Sequence, residues 1–93
     1  MTQNNKAEIE ELYELVASIK SAAECRELFE DLCTYKEINS MAQRLRAAKL
    51  LTEGVTYEQI IEMTGISSAT LSRVNKCVKY GNGYKRHFKK QPI

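Results

Sequence analysis

Short hydroxyl side chains follow a glycine in segment 65–74, which reads Gly-Ile-Ser-Ser-Ala-Thr-Leu-Ser-Arg-Val. Serine and threonine hydroxyls donate or accept hydrogen bonds at several base edges, and alanine and threonine methyl groups fit against a thymine methyl. The arginine in the same run can bind a phosphate. These residue types favour contact with the major groove of DNA, with modest direct readout and a share carried by water.

Two short helices joined by a turn must position these side chains. Segment 57–64 favours a helix, Gly65 allows the chain to reverse sharply, and a second helix follows. The apolar residues with the spacing to lock these helices together are Ile60, Ile66, Leu71 and Val74. The pattern predicts a helix-turn-helix over residues 56–80.

Capping residues mark where each of these helices begins. Thr56 and Gln59 have the spacing of a capping box, in which each side chain satisfies a backbone N–H of the other. Ser67 or Ser68 is the expected N-cap of the second helix. Local sequence therefore predicts both helix starts of the motif.

The rest of the chain predicts four further helices, six in all. Apolar stripes at spacings of three and four indicate two N-terminal helices, the second ending near Cys33. Thr34 and Glu37 form a capping box for a third helix that stops at Gly54. A short final helix is expected from Tyr84 to Lys90. The stripe residues are Ile9, Leu12, Tyr13, Val16 and Ile19 in the first helix, and Cys25, Leu28, Phe29 and Leu32 in the second.

Composition bounds the class of protein. The chain has 93 residues, 43% of them hydrophobic and 28% charged, with one proline, which is typical of one small all-helical domain. No apolar run reaches membrane-spanning length, and no signal or transit peptide is recognised, so a cytoplasmic protein is expected. Cys25, Cys33 and Cys77 are odd in number and are expected to be reduced. His87 has no cysteine near it, so no metal site is predicted.

Charge divides the chain into two parts. Residues 1–40 hold 4 basic and 9 acidic residues, a net charge of −5, whereas residues 41–93 hold 10 and 3, a net charge of +7. A basic C-terminal part around the proposed motif fits contact with phosphate, and an acidic N-terminal part fits a role away from it. The alternative is uneven solvation without a nucleic-acid partner.

The two N-terminal helices carry more apolar surface than a small DNA-binding motif needs for its own core. They are predicted to form a dimer interface, and a two-fold dimer would place two DNA-contacting helices roughly 34–36 Å apart, one turn of DNA. The alternative is a monomer whose stripes close over one core. The expected organisation is a single domain over 1–93, with dimerisation helices in 1–53, the motif in 56–80 and a basic helix or tail in 81–93.

The segment Met-Ala-Gln-Arg-Leu-Arg-Ala-Ala-Lys-Leu-Leu at 41–51, the Gly54 turn, the Thr56 cap and segment 65–73 together resemble the tryptophan repressor family of bacteria, most of all its YerC/YecD-type relatives. The resemblance covers about residues 30–80. It implies an all-α, six-helix, intertwined homodimer whose paired helix-turn-helix motifs bind a palindromic operator and regulate transcription as a repressor.

The resemblance also implies site residues. An effector site for L-tryptophan or another aromatic amino acid, acting as an optional corepressor, would comprise Thr34, Arg44 and Arg73, because guanidinium groups stack on aromatic rings and bind carboxylates. Val74 and Cys77 stand where the repressor has glycine and serine. The positions matching the family's DNA-binding residues are Tyr57, Ser67, Ser68, Ala69, Thr70, Ser72, Arg73 and Lys79.

The sequence also bears on two other functional classes, an enzyme and a protein-binding adaptor. A small helical enzyme of the chorismate-mutase type would need cations on its long first helix, whereas that helix is rich in glutamate, and no Ser/His/Asp set or carboxylate pair stands out. No catalytic residue is therefore predicted. The alternative that stays open is a helical adaptor that binds proteins through its acidic helices and lacks specific DNA affinity.

Overall fold

The computed structural model describes residues 5–88, which form six α-helices and no β-strand. None of these helices is long and apolar enough to cross a membrane, a finding that applies to the described residues. The helices are α1 (Lys6–Ala17), α2 (Ala22–Leu32), α3 (Tyr35–Thr52), α4 (Tyr57–Thr64), α5 (Ser68–Tyr80) and α6 (Gly83–His87).

The chain divides into two compact units, of which the first is Met1–Tyr35 and contains α1 and α2. Ser21 caps α2, since its hydroxyl accepts a hydrogen bond from the Glu24 N–H at 3.1 Å. The predicted first helix is present and contains four of its five predicted stripe residues. The fifth, Ile19, lies beyond the helix, because α1 ends at Ala17. Neither helix contains a buried residue in the single chain, so their apolar stripes stay at least partly exposed to solvent.

The second unit, Lys36–Ile93, contains the hydrophobic core. Two fully buried alanines of α3 share this core with larger apolar residues of α4 and α5. The partly buried residues that pack against this core are Leu51, Val55, Ile61, Val78, Tyr84 and Phe88. The buried core residues are Ala47, Ala48, Leu50, Ile60, Ile66, Leu71 and Val74.

The bounds of α3 confirm the local predictions to within two residues. The helix begins at Tyr35, directly after the predicted cap residue Thr34, and ends at Thr52. Gly54 has a φ of +86°, the left-handed conformation that glycine adopts without steric cost. The Val55 N–H then donates to the Leu50 carbonyl at 3.1 Å and closes the turn into the next helix.

The last helix is shorter than the sequence predicts. α6 spans Gly83–His87 and Phe88 is its C-cap, so the predicted helix from Tyr84 to Lys90 begins one residue too late and extends too far. The expected contact between Tyr84 and Phe88 is present, with ring centroids 6.4 Å apart in a stacked arrangement. Lys89 and Lys90 lie outside the described residues.

Candidate nucleic-acid interface

The turn between α4 and α5 depends on one backbone conformation. Gly65 has φ +75° and ψ 8°, and its N–H donates to the Ile61 carbonyl at 2.8 Å, which ends α4. A residue with a Cβ is strained in this left-handed region, whereas glycine is not. The glycine therefore sets the angle at which the chain leaves α4 and enters α5.

Side-chain hydrogen bonds that the sequence analysis did not predict hold the same turn. The Gln43 amide of α3 donates to the Thr64 carbonyl at 2.9 Å. The Thr64 hydroxyl donates to the Ile60 carbonyl at 2.7 Å and accepts from the Ile66 N–H at 3.2 Å. The bond from Gln43 satisfies one of the last four carbonyls of α4, which the helix itself leaves without partners, and it ties the turn to α3.

Four apolar side chains fix the two helices of the motif against α3. Ile60 and Leu71 are fully buried, and Ile66 and Val74 are 1% and 2% exposed. Burial of each such side chain contributes about 1.5–3 kcal/mol to folding. The prediction that these residues lock the helices together is confirmed, and α5 is presented on a rigid support.

The first turn of α5 uses two of the predicted DNA-contacting hydroxyls for its own structure. Ser67 is the N-cap, and its hydroxyl accepts from the Thr70 N–H at 3.2 Å. The same hydroxyl donates to the Thr70 hydroxyl at 3.0 Å. By contrast, the hydroxyls of Ser68 and Ser72 have no hydrogen bond to any residue in 5–88, so they keep their full capacity for a ligand.

Most of the residues matched to DNA contact are exposed on α4 and α5. Thr70 is half-buried, and Tyr57 at the start of α4 is 37% exposed. Ser68 and Ser72 are four residues apart, and Lys79 follows seven residues after Ser72, so these three share one side of α5. We call this side the reading face. The remaining exposed positions are Ser67, Ala69 and Arg73.

Helix α5 contains three basic residues and no acidic residue over Ser68–Tyr80. Arg73 and Lys79 were matched to DNA contact from the sequence, whereas Lys76 was missed. Its spacing of three residues from each of the others was the available signal, because residues three apart are neighbours on a helix. No acidic side chain within residues 5–88 forms an ion pair with these three. Their charge is therefore available to a phosphate backbone.

The profile of the Trp repressor protein family matches residues 7–92. The chain belongs to the Trp repressor family. The match extends well beyond the segment 30–80 that carries the resemblance in the sequence, and it includes α2 and all of α1 except Lys6.

The chain is similar to three known relatives, and the two solved structures among them confirm the all-helical Trp-repressor-like fold. The uncharacterized protein YerC of Bacillus subtilis is 49% identical over 75 residues, which cover 81% of this chain and 72% of YerC. A TrpR-like protein from Eubacterium eligens has a TM-score of 0.85 and 47% identity, with 92% and 93% of the two chains covered. A candidate Trp repressor from Staphylococcus aureus has a TM-score of 0.82 and 32% identity, with 97% and 100% covered.

The positions matched to the family's corepressor site lie in both units. Thr34 precedes α3 in the first unit, and Arg44 in α3 and Arg73 in α5 belong to the second; all three are exposed. Val74, which replaces a glycine of the repressor, has its side chain in the core at 2% exposure. Cys77, which replaces a serine, is exposed. The assignment of these residues to an effector stays a prediction.

Glu58 departs from the charge pattern of the motif. It is exposed in the first turn of α4, next to Tyr57. A carboxylate there is favourable to the helix dipole, since the N-terminus of a helix carries a partial positive charge. The same carboxylate would repel a DNA phosphate, so it does not add to the positive charge of the motif.

Proposed function

We propose that this protein is a sequence-specific DNA-binding regulator of transcription, a repressor that binds a palindromic operator as a homodimer. The observation that carries the proposal is α5, which packs on the core and whose reading face combines the Ser68 and Ser72 hydroxyls with the Lys79 cation, none of which has a hydrogen bond or ion pair to a residue in 5–88. Membership of the Trp repressor family, a family of regulators rather than enzymes, supports it. Its place of action would be the cytoplasm, where the chromosome of a bacterium lies.

The contacts divide by chemistry. Ser68 and Ser72 would hydrogen-bond base edges and Ala69 would contact a thymine methyl, whereas Arg73 and Lys79 would bind phosphates. Ser67 and Thr70 would act mainly by fixing the first turn of α5, because their hydroxyls already bond each other. Tyr57 would contact the backbone from the start of α4.

The dimer is inferred from α1 and α2. Large apolar side chains stay exposed on these helices in a single chain, including Ile9 at 41%, Leu12 at 39% and Leu15 at 51%. Burial of such a stripe would contribute about 25 cal/mol of favourable free energy for each Å² of apolar surface removed from water. A second copy would cover the stripes, with dimerisation in residues 1–53 and DNA contact in 56–80.

The finer proposal is a corepressor site formed by Thr34, Arg44 and Arg73 for L-tryptophan or another aromatic amino acid. Two guanidinium groups suit an aromatic ring and a carboxylate. Val74, which lies in the core, and Cys77, which is exposed, are the two positions at which the chain departs from the repressor's pattern.

The experiment is selection of genomic DNA fragments with the purified protein at moderate salt, with and without a mixture of aromatic amino acids. Recovery of a palindrome is expected. Enrichment that requires one amino acid would support the corepressor site, and enrichment without any would assign DNA binding to the protein alone. Absence of enrichment in both conditions would contradict the proposal and favour a protein-binding adaptor.

Two arginine variants provide the matched comparison. Arg73→Ala removes a cation from α5 and is expected to weaken binding to the recovered fragment severely. Arg26→Ala removes an exposed arginine from α2 and is expected to leave it unchanged. Equal affinities for the two variants would remove Arg73 from the DNA interface.

A further inference from the structure

A cleft of about 470 Å³ lies between the end of α3, the second half of α5 and α6. Its volume is within the range of roughly 300–1,000 Å³ that small-molecule sites occupy. Leu51, Val78 and Phe88 form its apolar side and pack against the core. None of Thr34, Arg44 and Arg73 lines the cleft.

The polar groups of this cleft are cationic or amide groups. Lys79 and Lys85 are exposed, and neither has an ion pair with a residue in the described part of the chain. Asn75 is half-buried, and its amide also lacks a hydrogen bond there. The remaining polar group, the Thr52 hydroxyl, is already committed, since it donates to the Ala48 carbonyl at 2.9 Å.

No carboxylate lines the cleft in the part of the chain that the structure describes. The apolar body of a ligand would gain favourable free energy by burial against the apolar side of the cleft. A neutral ligand, however, would leave the ammonium groups of Lys79 and Lys85 without an anionic partner. A ligand with one anionic end would satisfy both sides. The Asn75 amide could donate a hydrogen bond to the anionic group of the ligand.

We propose that this cleft binds a small monocarboxylic acid with an aromatic or branched aliphatic body. The carboxylate would lie between Lys79 and Lys85, and the body against Phe88 and Val78. Lysine suits this role as a point charge on a flexible stem, which can reach over the opening of a cleft.

The regulatory consequence rests on the proposed DNA-binding function. Lys79 belongs to the reading face and is a candidate phosphate contact. A carboxylate bound at Lys79 would compete with a DNA phosphate for the same charge, and lost phosphate contacts lower both the affinity and its salt dependence. The acid would therefore release DNA, which is opposite in sign to the action of a corepressor.

The test is an NMR titration of the ¹⁵N-labelled protein with 3-phenylpropionate and, separately, with the neutral 3-phenylpropan-1-ol. Shifts are expected at Leu51, Val78 and the Asn75 side-chain amide, with at least tenfold tighter binding of the acid. The double substitution Lys79→Gln with Lys85→Gln should remove this preference. Lys76→Gln with Arg86→Gln removes the same charge from the same two helices outside the cleft and should keep it.

Three results would overturn the site: equal binding of acid and alcohol, an unchanged preference in the Lys79/Lys85 variant, or shifts confined to a second apolar cleft around Leu45, Cys77 and Tyr84. The titration needs no DNA, so its outcome is independent of whether the protein is a DNA-binding regulator. Competition against a bound DNA fragment tests the regulatory part alone. Fragment affinity that is unchanged in saturating acid would contradict that part.

Discussion

Substitution of Gly65 by alanine isolates the cost of the conformation on which the helix-turn-helix depends. At φ +75° the residue lies in the left-handed region, where a Cβ costs roughly 1–2 kcal/mol. A Cβ built there would meet only the Gln43 Nε2 atom, at 3.9 Å, which is an ordinary contact. The whole loss should therefore be conformational, about 1–2 kcal/mol in the free energy of unfolding, and Gly65→Asn should lose less, because asparagine tolerates this region.

Urea unfolding followed by circular dichroism measures the loss, at one protein concentration for all variants because self-association would contribute to stability. Gly54→Ala is the matched control, since Gly54 has φ +86° and no atom within 4 Å of a Cβ. It should lose a similar amount. A negligible loss at Gly65 would refute the conformational argument, and a loss there several kcal/mol larger than at Gly54 would show that the Gln43 contact dominates.

Three further outcomes are expected. Leu71→Ala empties a fully buried position and should cost about 2–5 kcal/mol by urea unfolding, whereas Met63→Ala, 59% exposed, should cost much less; equal losses would place Leu71 outside the core. Lys79→Ala should reduce the slope of log affinity against log salt by about 1, and an unchanged slope would mean that Lys79 contacts no phosphate. Glu58→Gln should leave DNA affinity equal or raise it, because a repulsive charge is removed; a weaker complex would indicate that the carboxylate makes a favourable contact.

Features set by neighbouring residues were predictable from the sequence. Thr56 and Gln59 form the predicted capping box, and Ser67 caps α5, because capping depends on residues three positions apart. Gly65 ends α4 because glycine adopts the left-handed conformation that a helix end requires, and this too depends only on local sequence. The periodic apolar residues of α4 and α5 gave the core of the motif, since helical spacing brings them to one face.

Features that depend on distant residues were not predictable in this way. The bond from Gln43 to the Thr64 carbonyl spans 21 residues, and nothing in either local sequence marks it. The hydrogen bond between the Ser67 and Thr70 hydroxyls uses part of the hydrogen-bonding capacity of two candidate base contacts, and only the geometry of the first turn shows it. The end of α6 at His87 was missed because Phe88, although it contacts Tyr84, already has non-helical angles.

The central claim is that exposed hydroxyls of α5 distinguish one DNA sequence from others. Fluorescence anisotropy would compare the recovered palindrome with a scrambled duplex of equal length, using the wild-type protein and the Ser68→Ala, Ser72→Ala double variant. The wild type should prefer the palindrome by about 10³-fold or more, and the variant should lose most of this preference while keeping its affinity for the scrambled duplex. No preference in the wild type, or the same preference in the variant, would contradict the claim.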